Sequence, residues 1–513
     1  MPSTREDRSR LRRTPAAVPR HVWLALGALL SLLAVHSAWD VPIAAWLYPL
    51  FLLRFTRTGR PLAGAAWMWA VAVLGAVFWV WRADVLSPAL LPIAVLLGTV
   101  KALPYVVDRL LATRPRGGSG LAATLVFPAA EATVEMLMST YGPTGAIYGV
   151  LGTTQHAALP LIQVASVTGV YGVSFLVAWC SSVAVHVWEH GARWPRVRRT
   201  VGVYAAVLGL VLALGGARLA FAPPSSDTVR VAGISLSEAS WESAVVPAFT
   251  EFDSLETLVA ADRDRVREVF APIHDELLAL TEREARAGAD LVVWTESAAH
   301  TREEDRDDLL RRVGAVAREY GVHIEIGVSV YTQRPPHIRN QAIMVTPGGE
   351  VAWTYDKAHP IPVLEPYDAG SGELPVLDTP FGRVTTAICY DVDFPATLRR
   401  GAGLGADILL LPSNEWEGIS RFHAQESVFR TVEGGYAMVR PVNRGRSTAV
   451  DHQGRVLATT DYFGTDQQTM VASVPTEGVT TVYGRVGDVF AWLCVLGVAG
   501  AAVVLTVRHR RRP

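Results

Sequence analysis

Charged residues are scarce in this 513-residue chain, and lysine is almost absent. Charged side chains make up 19% of the sequence, whereas an ordinary soluble protein carries about 25%. Arginine supplies nearly all of the 47 basic residues, because lysine occurs only at Lys101 and Lys357. A position that keeps lysine against this background indicates a need for a compact ammonium group, which the planar guanidinium of arginine does not replace.

Cysteine is also rare. Two of the three cysteines, Cys180 and Cys494, fall in long apolar runs, and Cys389 is the only one in the polar stretch of the chain. The sequence therefore excludes a disulfide within that stretch. It also lacks a metal-ligand cluster, a nucleic-acid-binding motif and a phosphate-binding glycine loop, so we expect no cofactor, no metal and no nucleic-acid partner.

Long apolar runs are abundant instead. Hydrophobic residues form 50% of the chain, and a helix of about 20 such residues spans a bilayer. The pattern predicts seven spans in the N-terminal part and an eighth near the C-terminus, at residues 22–39, 41–53, 62–81, 86–106, 121–139, 161–187, 201–221 and 489–507.

Arginine clusters predict how these spans are oriented, since basic loops stay on the cytoplasmic side of a membrane. Five clusters lie at 5–13, 54–60, 109–116, 193–199 and 508–512. All five fall on the cytoplasmic side if the number of spans is even. The prediction is then a basic cytoplasmic N-terminus (1–20), a membrane domain of about seven helices (21–224), an extracytoplasmic domain (225–486), and a C-terminal span with a basic tail (487–513).

The stretch between the seventh and eighth spans alternates between strand and helix patterns. Strands are predicted at 229–236, 291–295, 323–330, 384–390 and 407–412, with a hairpin of 341–346 and 351–357 around Pro347-Gly348-Gly349. Helices are predicted at 273–287, 309–320 and 421–433, the second ended by Gly321. Strands at this spacing, with helices between some of them, predict an α/β sandwich.

Three polar residues lie at or near the ends of predicted strands, where α/β folds place active sites. As a thiolate, Cys389 attacks a carbonyl, and Glu296 accepts its proton and later activates the second substrate. The Lys357 ammonium favours the thiolate and holds charge on the substrate oxygen, together with a backbone N–H just after the cysteine. The alternatives are an inert buried thiol and two surface charges.

The segments around these residues resemble the three signatures of the nitrilase superfamily, in the same order. They read Trp294-Thr295-Glu296-Ser297-Ala298, Lys357-Ala358-His359 and Ile388-Cys389-Tyr390-Asp391. Two membrane segments are similar to motifs of one family, the apolipoprotein N-acyltransferases. They are Phe127-Pro128-Ala129-Ala130 with Glu135, and Gly169-Val170-Tyr171-Gly172-Val173-Ser174-Phe175-Leu176. The resemblance covers nearly the whole chain.

This resemblance implies a nitrilase-like αββα sandwich on a multi-span α-helical membrane domain, with Glu296 as general base, Lys357 as oxyanion lysine and Cys389 as nucleophile. Glu365 matches a further essential glutamate, although a simple loop carboxylate beside Pro366 is the alternative. The resemblance also implies that Tyr390 helps to shape the site. The chain also matches a C-terminal pattern of the family, which is more structural than catalytic, at Asn414-Glu415-Trp416, Arg430, Glu433, Asn443 and Gly445.

The implied reaction is acyl transfer at the bacterial inner membrane. The donor is a membrane phospholipid, the intermediate a thioester on the cysteine, and the acceptor the N-terminal amine of a diacylglyceryl-cysteine lipoprotein. Three departures from the family pattern lie near the substrate loops and bear on the acceptor. They are Val363-Leu364 in place of Phe-Gly, Asp391 in place of glutamate, and a first strand that reads Ala232-Gly233-Ile234-Ser235.

Two other classes of function stay open. A membrane-tethered nitrilase-type amidase, with water as acceptor, would use the same three catalytic residues. A transporter or scaffold with an inactive nitrilase domain is disfavoured by the intact set. Glu131 and Glu135 lie four residues apart on one face of the fifth predicted span. Because carboxylates are costly in a membrane, we expect either a polar lipid path or packing against neighbouring helices there.

Overall fold

The structure is a computed structural model that describes residues 18–34, 41–112, 120–146, 148–225, 227–465 and 469–510. Most of the predicted basic N-terminus, the end of the first predicted span and parts of two other arginine clusters lie outside these ranges. Within them, the chain forms a helical membrane domain, a two-sheet domain and one further helix.

The membrane domain consists of apolar helices. They are α1 (Arg20–Ala34), α2 (Pro42–Arg57), α3 (Pro61–Arg82), α4 (Leu91–Leu111), α5 (Gly120–Thr124), α6 (Val126–Tyr141), α7 (Leu159–Ile162), α8 (Ala165–Thr168), α9 (Val170–Glu189) and α10 (Trp194–Phe221). Among the described residues, six helical stretches are long and apolar enough to cross a membrane, at 61–82, 91–111, 120–141, 170–189, 194–221 and 489–507. Since α1 and α2 have only 15 and 16 described residues, the count of eight spans stays a prediction.

Two predicted spans are wrong at their boundaries. The predicted span 161–187 is not one helix, because Gly169 interrupts it with a φ of +67°. A side chain there would also lie 2.6 Å from the Tyr483 ring, so the long helix α9 begins only at Val170. The predicted span 86–106 is shifted, since α4 runs from Leu91, with a proline in its first turn, to Leu111.

The second domain contains two large β-sheets. The first sheet has the order β15-β1-β2-β4-β5-β6, with β3 paired to β4, and the second has the order β14-β13-β11-β9-β8-β7. The strands of the first half are β1 (Thr228–Ile234), β2 (Leu291–Trp294), β3 (Ala299–Arg302), β4 (His323–Tyr331), β5 (Ile338–Val345), β6 (Val351–Asp356), β7 (Val376–Thr379) and β8 (Gly382–Thr386). The others are β9 (Ile408–Leu410), β10 (Ser413–Asn414), β11 (Ala437–Arg440), β12 (Val442–Asn443), β13 (Arg446–Val450), β14 (Val456–Asp461) and β15 (Thr469–Pro475).

Helices cover the outer faces of the two sheets. They are α11 (Glu238–Ser240), α12 (Val246–Glu251), α13 (Leu255–Ala260), α14 (Arg263–Arg286), α15 (Arg306–Tyr320), α16 (Pro395–Gly403), α17 (Glu417–Gly434) and α18 (Val482–Val486), and α19 (Val489–Arg510) follows the domain. Alternate side chains of the first sheet, such as Val231 and Val293, share one core with the second sheet. Their neighbours, such as Ala232 and Val292, pack under α14 and α15. The domain is therefore an αββα sandwich, as expected.

Local patterns predicted the three longest helices of this domain, α14, α15 and α17, and seven of its described strands, β1, β2, β4, β5, β6, β8 and β9. The hairpin of β5 and β6 is antiparallel, as expected, and Gly321 ends α15 in the left-handed conformation with a φ of +67°. The predicted strand 384–390 is wrong at its end, because β8 stops at Thr386 and Cys389 begins a short 3₁₀ turn with a φ of +44°. The Asp391 carboxylate stabilises this turn by accepting the Ile388 N–H at 2.9 Å.

The sandwich rests directly on the membrane domain. The turn that begins at Cys389 contacts the loop after α6, where the Ala146 N–H donates to the Asp393 carbonyl at 2.7 Å. The Trp416 indole donates to the Ala83 carbonyl at the end of α3. Helix α17 packs on α8, and its Glu433 carboxylate accepts the Val170 N–H at 2.7 Å. The candidate site therefore lies where the two domains meet.

Candidate active site

The three predicted catalytic residues converge at one end of the sandwich, each just after a strand. Glu296 follows β2, Lys357 follows β6, and Cys389 lies three residues after β8. The Lys357 ammonium donates to the Glu296 carboxylate at 2.8 Å, and the Cys389 thiol interacts electrostatically with the same carboxylate. All three are at most 2% exposed, so the set is desolvated.

Two asparagines hold the Glu296 carboxylate from other elements. The Asn340 amide of β5 donates to one oxygen at 2.6 Å, and the Asn414 N–H donates to the other at 2.8 Å. Burial raises the pKa of Glu296 above its usual range, against the Lys357 charge, and the nearby Glu365 raises it further. A carboxylate with a raised pKa is well matched to proton transfer near neutral pH.

Lys357 is the charged centre of the site. Its ammonium donates to Glu296 at 2.8 Å and to Glu365 at 2.7 Å. Burial lowers its pKa, but the negative charges of Glu296 and Glu365 outweigh this and hold the pKa well above its ordinary value. An ammonium group has three N–H donors, so within the described part of the chain one donor is left for a substrate oxygen.

The Cys389 thiol is protonated in this resting arrangement. Burial and the Glu296 charge raise its pKa well above the ordinary value, and Lys357 only partly opposes them. The thiol donates to the Asn414 carbonyl at 3.6 Å, and the Cys389 N–H donates to the Pro412 carbonyl at 3.0 Å. Deprotonation therefore requires a base in contact, and Glu296 is placed to be that base.

The loop after Lys357 carries Glu365, as the resemblance implied. One Glu365 oxygen accepts from Lys357, and the other accepts the Ile361 N–H at 2.7 Å. The tip of the loop is apolar and open, since Val363 is 63% and Leu364 44% exposed. The loop thus brings a carboxylate to the ammonium on one side and apolar surface to the exterior on the other.

The two residues after Cys389 have different contacts. The Tyr390 hydroxyl donates to the Pro143 carbonyl of the membrane domain at 3.2 Å, so this side chain joins the two domains beside Cys389. The buried Asp391 carboxylate accepts the Tyr355 hydroxyl and the His359 N–H, both at 2.8 Å. The Asp391 carboxylate therefore links the 3₁₀ turn that begins at Cys389 to strand β6 and to the loop that follows Lys357.

An apolar pocket of about 740 Å³, including its open mouth, leads to Cys389. Helices α3 and α4 of the membrane domain form one wall, and the loop after Lys357 and the start of α17 form the other. The lining includes Trp79, Val80, Ala83, Val85, Leu90, Ile93, Leu97, Ile361, Pro362, Leu364, Tyr390, Trp416 and Ile419. The pocket therefore presents an apolar surface beside the thiol.

Sequence reasoning missed Asn340 and gave Asn414 only a structural role. Asn414 follows the predicted strand 407–412 as Glu296 and Lys357 follow theirs, so the strand-end argument would have found it. Asn340 starts no signature and lies inside β5, and nothing in the local pattern marks it.

Glu131 and Glu135 contact the second lysine of the chain, because Lys101 donates to them at 2.7 and 3.4 Å.

Comparisons with known proteins match each of the two domains. The Carbon-nitrogen hydrolase family matches residues 261–483, and the Apolipoprotein N-acyltransferase N-terminal domain matches residues 26–183. A solved amidase from Nesterenkonia sp. is 17% identical, with a TM-score of 0.38, over 52% of this chain and 96% of that one. The two family matches and the six apolar helices long enough to span a membrane define the class, a membrane protein with a carbon-nitrogen hydrolase domain.

Two relatives show to which family within this class the chain belongs. The apolipoprotein N-acyltransferase of Geobacter metallireducens is 30% identical over 400 residues, which cover 72% of this chain and 71% of the relative. That of Rhodopseudomonas palustris is 26% identical, over 96% of this chain and 95% of the relative. The chain belongs to the apolipoprotein N-acyltransferase family, and it is an acyltransferase.

Proposed function

We propose that this enzyme moves an acyl chain from a membrane phospholipid, through a Cys389 thioester, to the N-terminal amine of a diacylglyceryl-cysteine lipoprotein. The observation that carries the proposal is the apolar pocket, which joins membrane helices α3 and α4 to the buried thiol. A soluble amide substrate needs no pocket wall made of membrane helices, whereas a phospholipid chain does.

The first half-reaction forms the thioester. The sulfur of Cys389 attacks the ester carbonyl carbon while Glu296 takes the thiol proton, and the free N–H of Lys357 stabilises the oxyanion. The carbon–oxygen bond to glycerol then breaks, and Glu296 gives its proton to the leaving oxygen. A lysophospholipid departs, and Glu296 is again a carboxylate.

The second half-reaction uses the same groups with an amine. The acceptor nitrogen attacks the thioester carbonyl, Glu296 takes a proton from that nitrogen, and Lys357 again holds the oxyanion. The carbon–sulfur bond breaks, and the proton returns to the sulfur of Cys389. Glu365 keeps Lys357 in place, and Tyr390 keeps the nucleophile turn against the membrane domain, so both support the reaction without reacting.

The proposed location is the bacterial inner membrane, with residues 225–486 on the extracytoplasmic side. A membrane-impermeant thiol reagent in intact cells tests it. In a Cys389→Ser background, a cysteine at exposed Ser254 should be labelled and one at exposed Arg193 should not, with the background itself as control. Ser226 and Ser9 make a second pair, although both lie outside the described residues. Labelling at Arg193 and not at Ser254 would reverse the orientation and contradict the proposal.

The acceptor separates this proposal from a membrane-tethered amidase or hydrolase. Purified protein is given a phospholipid and a synthetic diacylglyceryl-cysteine peptide, and the products are weighed by mass spectrometry. The expected result is a peptide heavier by one acyl chain on its N-terminal amine. Release of free fatty acid at the same rate with and without the peptide would favour the hydrolase and end the proposal.

A further inference from the structure

The peptide groups on either side of Asn414 join the proposed base to the proposed nucleophile. The Asn414 N–H donates to Glu296 at 2.8 Å, and the Asn414 carbonyl accepts from the Cys389 thiol at 3.6 Å. Asn414 belongs to the two-residue strand β10, which pairs only with β12 in the described chain. Such a short pairing offers little stiffness, so something else must hold this backbone in place.

The next residue, Glu415, is anchored by two buried cations. One Glu415 oxygen accepts from His423 Nδ1 at 2.5 Å and also from Arg440. The three side chains are at most 1% exposed. A carboxylate held by two cations in a dry interior has little freedom to move. The Glu415 nitrogen is part of the same peptide group as the Asn414 carbonyl, so fixing Glu415 also fixes that carbonyl.

The other nitrogen of His423 faces the nucleophile turn. His423 Nε2 lies 3.1 Å from the Asp393 carboxylate, and Asp393 ends the 3₁₀ turn that begins at Cys389. Burial lowers the pKa of His423, but Asp393 and Glu415 outweigh burial and Arg440 and raise it to about 9. The imidazole is therefore charged at neutral pH, and both nitrogens carry a proton.

We propose that His423 is a positioning residue for acyl transfer, which through Glu415 fixes the Asn414 peptide and so sets the distance between base and nucleophile. The proposal rests on the catalytic roles of Glu296 and Cys389 given above. His423 lines the apolar pocket together with Cys389, and its two ring nitrogens lie against Glu415 and Asp393. Its contribution is geometric, and a displacement of about 1 Å in a catalytic group costs about 10²-fold in rate.

Three variants separate the two contacts of His423. In His423→Asn the side-chain amide can replace Nδ1 and reach Glu415, whereas in His423→Gln it can replace Nε2 and reach Asp393. His423→Phe keeps the ring shape and has neither donor. We expect the thioester-forming rate to fall about 10²-fold in His423→Phe, to recover at least about tenfold in His423→Asn, and to stay low in His423→Gln.

The rate is measured as the burst of a chromogenic leaving group from an activated short-chain ester, and in parallel with phospholipid. The positioning role predicts a lower rate constant with an unchanged KM for the ester. Thermal unfolding in detergent is recorded for each variant. His323→Gln is the matched control, because His323 is a buried histidine at the first residue of β4 and has no role in the proposal. The control should keep the parent rate.

The outcomes are distinct. Rates within about twofold of the parent in all three variants would overturn the proposal. So would rescue by His423→Gln instead of His423→Asn, or equal losses in all three that follow their thermal midpoints. A parent enzyme that gives a burst with the ester but none with phospholipid would refute the proposed donor, while the order of the three variants on the ester would still decide the role of His423.

Discussion

The chain has two lysines, and each lies in a cluster with two glutamates. The cluster proposed for catalysis, here called the catalytic cluster (Lys357, Glu296 and Glu365), is in the sandwich, and the membrane cluster (Lys101, Glu131 and Glu135) is between α4 and α6. The Lys357 ammonium lies 2.8 and 2.7 Å from its two carboxylates, and the Lys101 ammonium lies 2.7 and 3.4 Å from its two. Residue composition therefore does not distinguish the two clusters, and their difference lies in geometry.

The number of free donors separates them. Lys101 uses all three of its N–H groups, because it donates to Glu131, to Glu135 and to the Gly149 carbonyl at 2.7 Å. Lys357 uses two in the described structure, to Glu296 and to Glu365, and the third has no partner there. A saturated ammonium stabilises the fold, whereas one with a free donor beside a nucleophile stabilises a developing oxyanion.

Loss of the nucleophile should have the largest effect, because only the catalytic cluster adjoins a thiol. Cys389→Ser should lower acyl transfer by about 10⁴-fold or more and abolish the thioester adduct seen by mass spectrometry. The thermal midpoint should stay close to the parent value. Cys494→Ser removes another buried cysteine as a control and should keep full activity. Substantial turnover by Cys389→Ser would show that the cluster beside Cys389 does not act through this thiol.

Breaking the membrane cluster should cost stability instead of chemistry. Lys101→Met leaves Glu131 and Glu135 buried without a counter-charge, so we expect a loss of about 3–5 kcal/mol in the free energy of unfolding. Thermal or denaturant unfolding in detergent measures it. Activity per folded molecule should stay within about twofold. A folded Lys101→Met protein without activity would show that the membrane cluster also takes part in the reaction.

Replacing each lysine by arginine sharpens the comparison further. Lys357→Arg keeps the charge but loses the compact donor, and the loss of one oxyanion donor costs about 10²–10³ in rate. The matched Lys101→Arg variant should keep its rate, because its role is charge compensation. Steady-state kinetics on both variants test this prediction. If both variants kept the parent rate, neither position would require an ammonium group.

The smallest predicted effect concerns pH. Glu296 must be ionised to accept a proton, so activity should fall as the pH drops through its raised pKa, which lies above the ordinary value of about 4.3. Glu365 raises that pKa, so Glu365→Gln should move the acid limb of kcat/KM to lower pH. Glu135→Gln in the membrane cluster should leave the limb in place. A shift to higher pH in Glu365→Gln would contradict the assignment of Glu296 as base.

Local periodicity was sufficient for much of the fold. The apolar runs separated the membrane domain from the sandwich, and alternation predicted the hairpin of β5 and β6. Errors occurred where one residue broke a pattern. Gly169 ends a continuous apolar run with a positive φ where the distant Tyr483 ring packs against it. Cys389 leaves its strand early, in a turn that the Asp391 carboxylate of the same turn stabilises.

The sequence by itself determined the membrane and soluble parts, the αββα class and the residues proposed for catalysis, since these depend on hydrophobic period and on short motifs at strand ends. Only the tertiary structure decided which lysine keeps a free donor, that Asn340 and Asn414 hold Glu296, and that membrane helices line the pocket. Asn414 and Glu296 are 118 positions apart. Contacts of that kind arise from how strands and helices are brought together, and no local pattern encodes them.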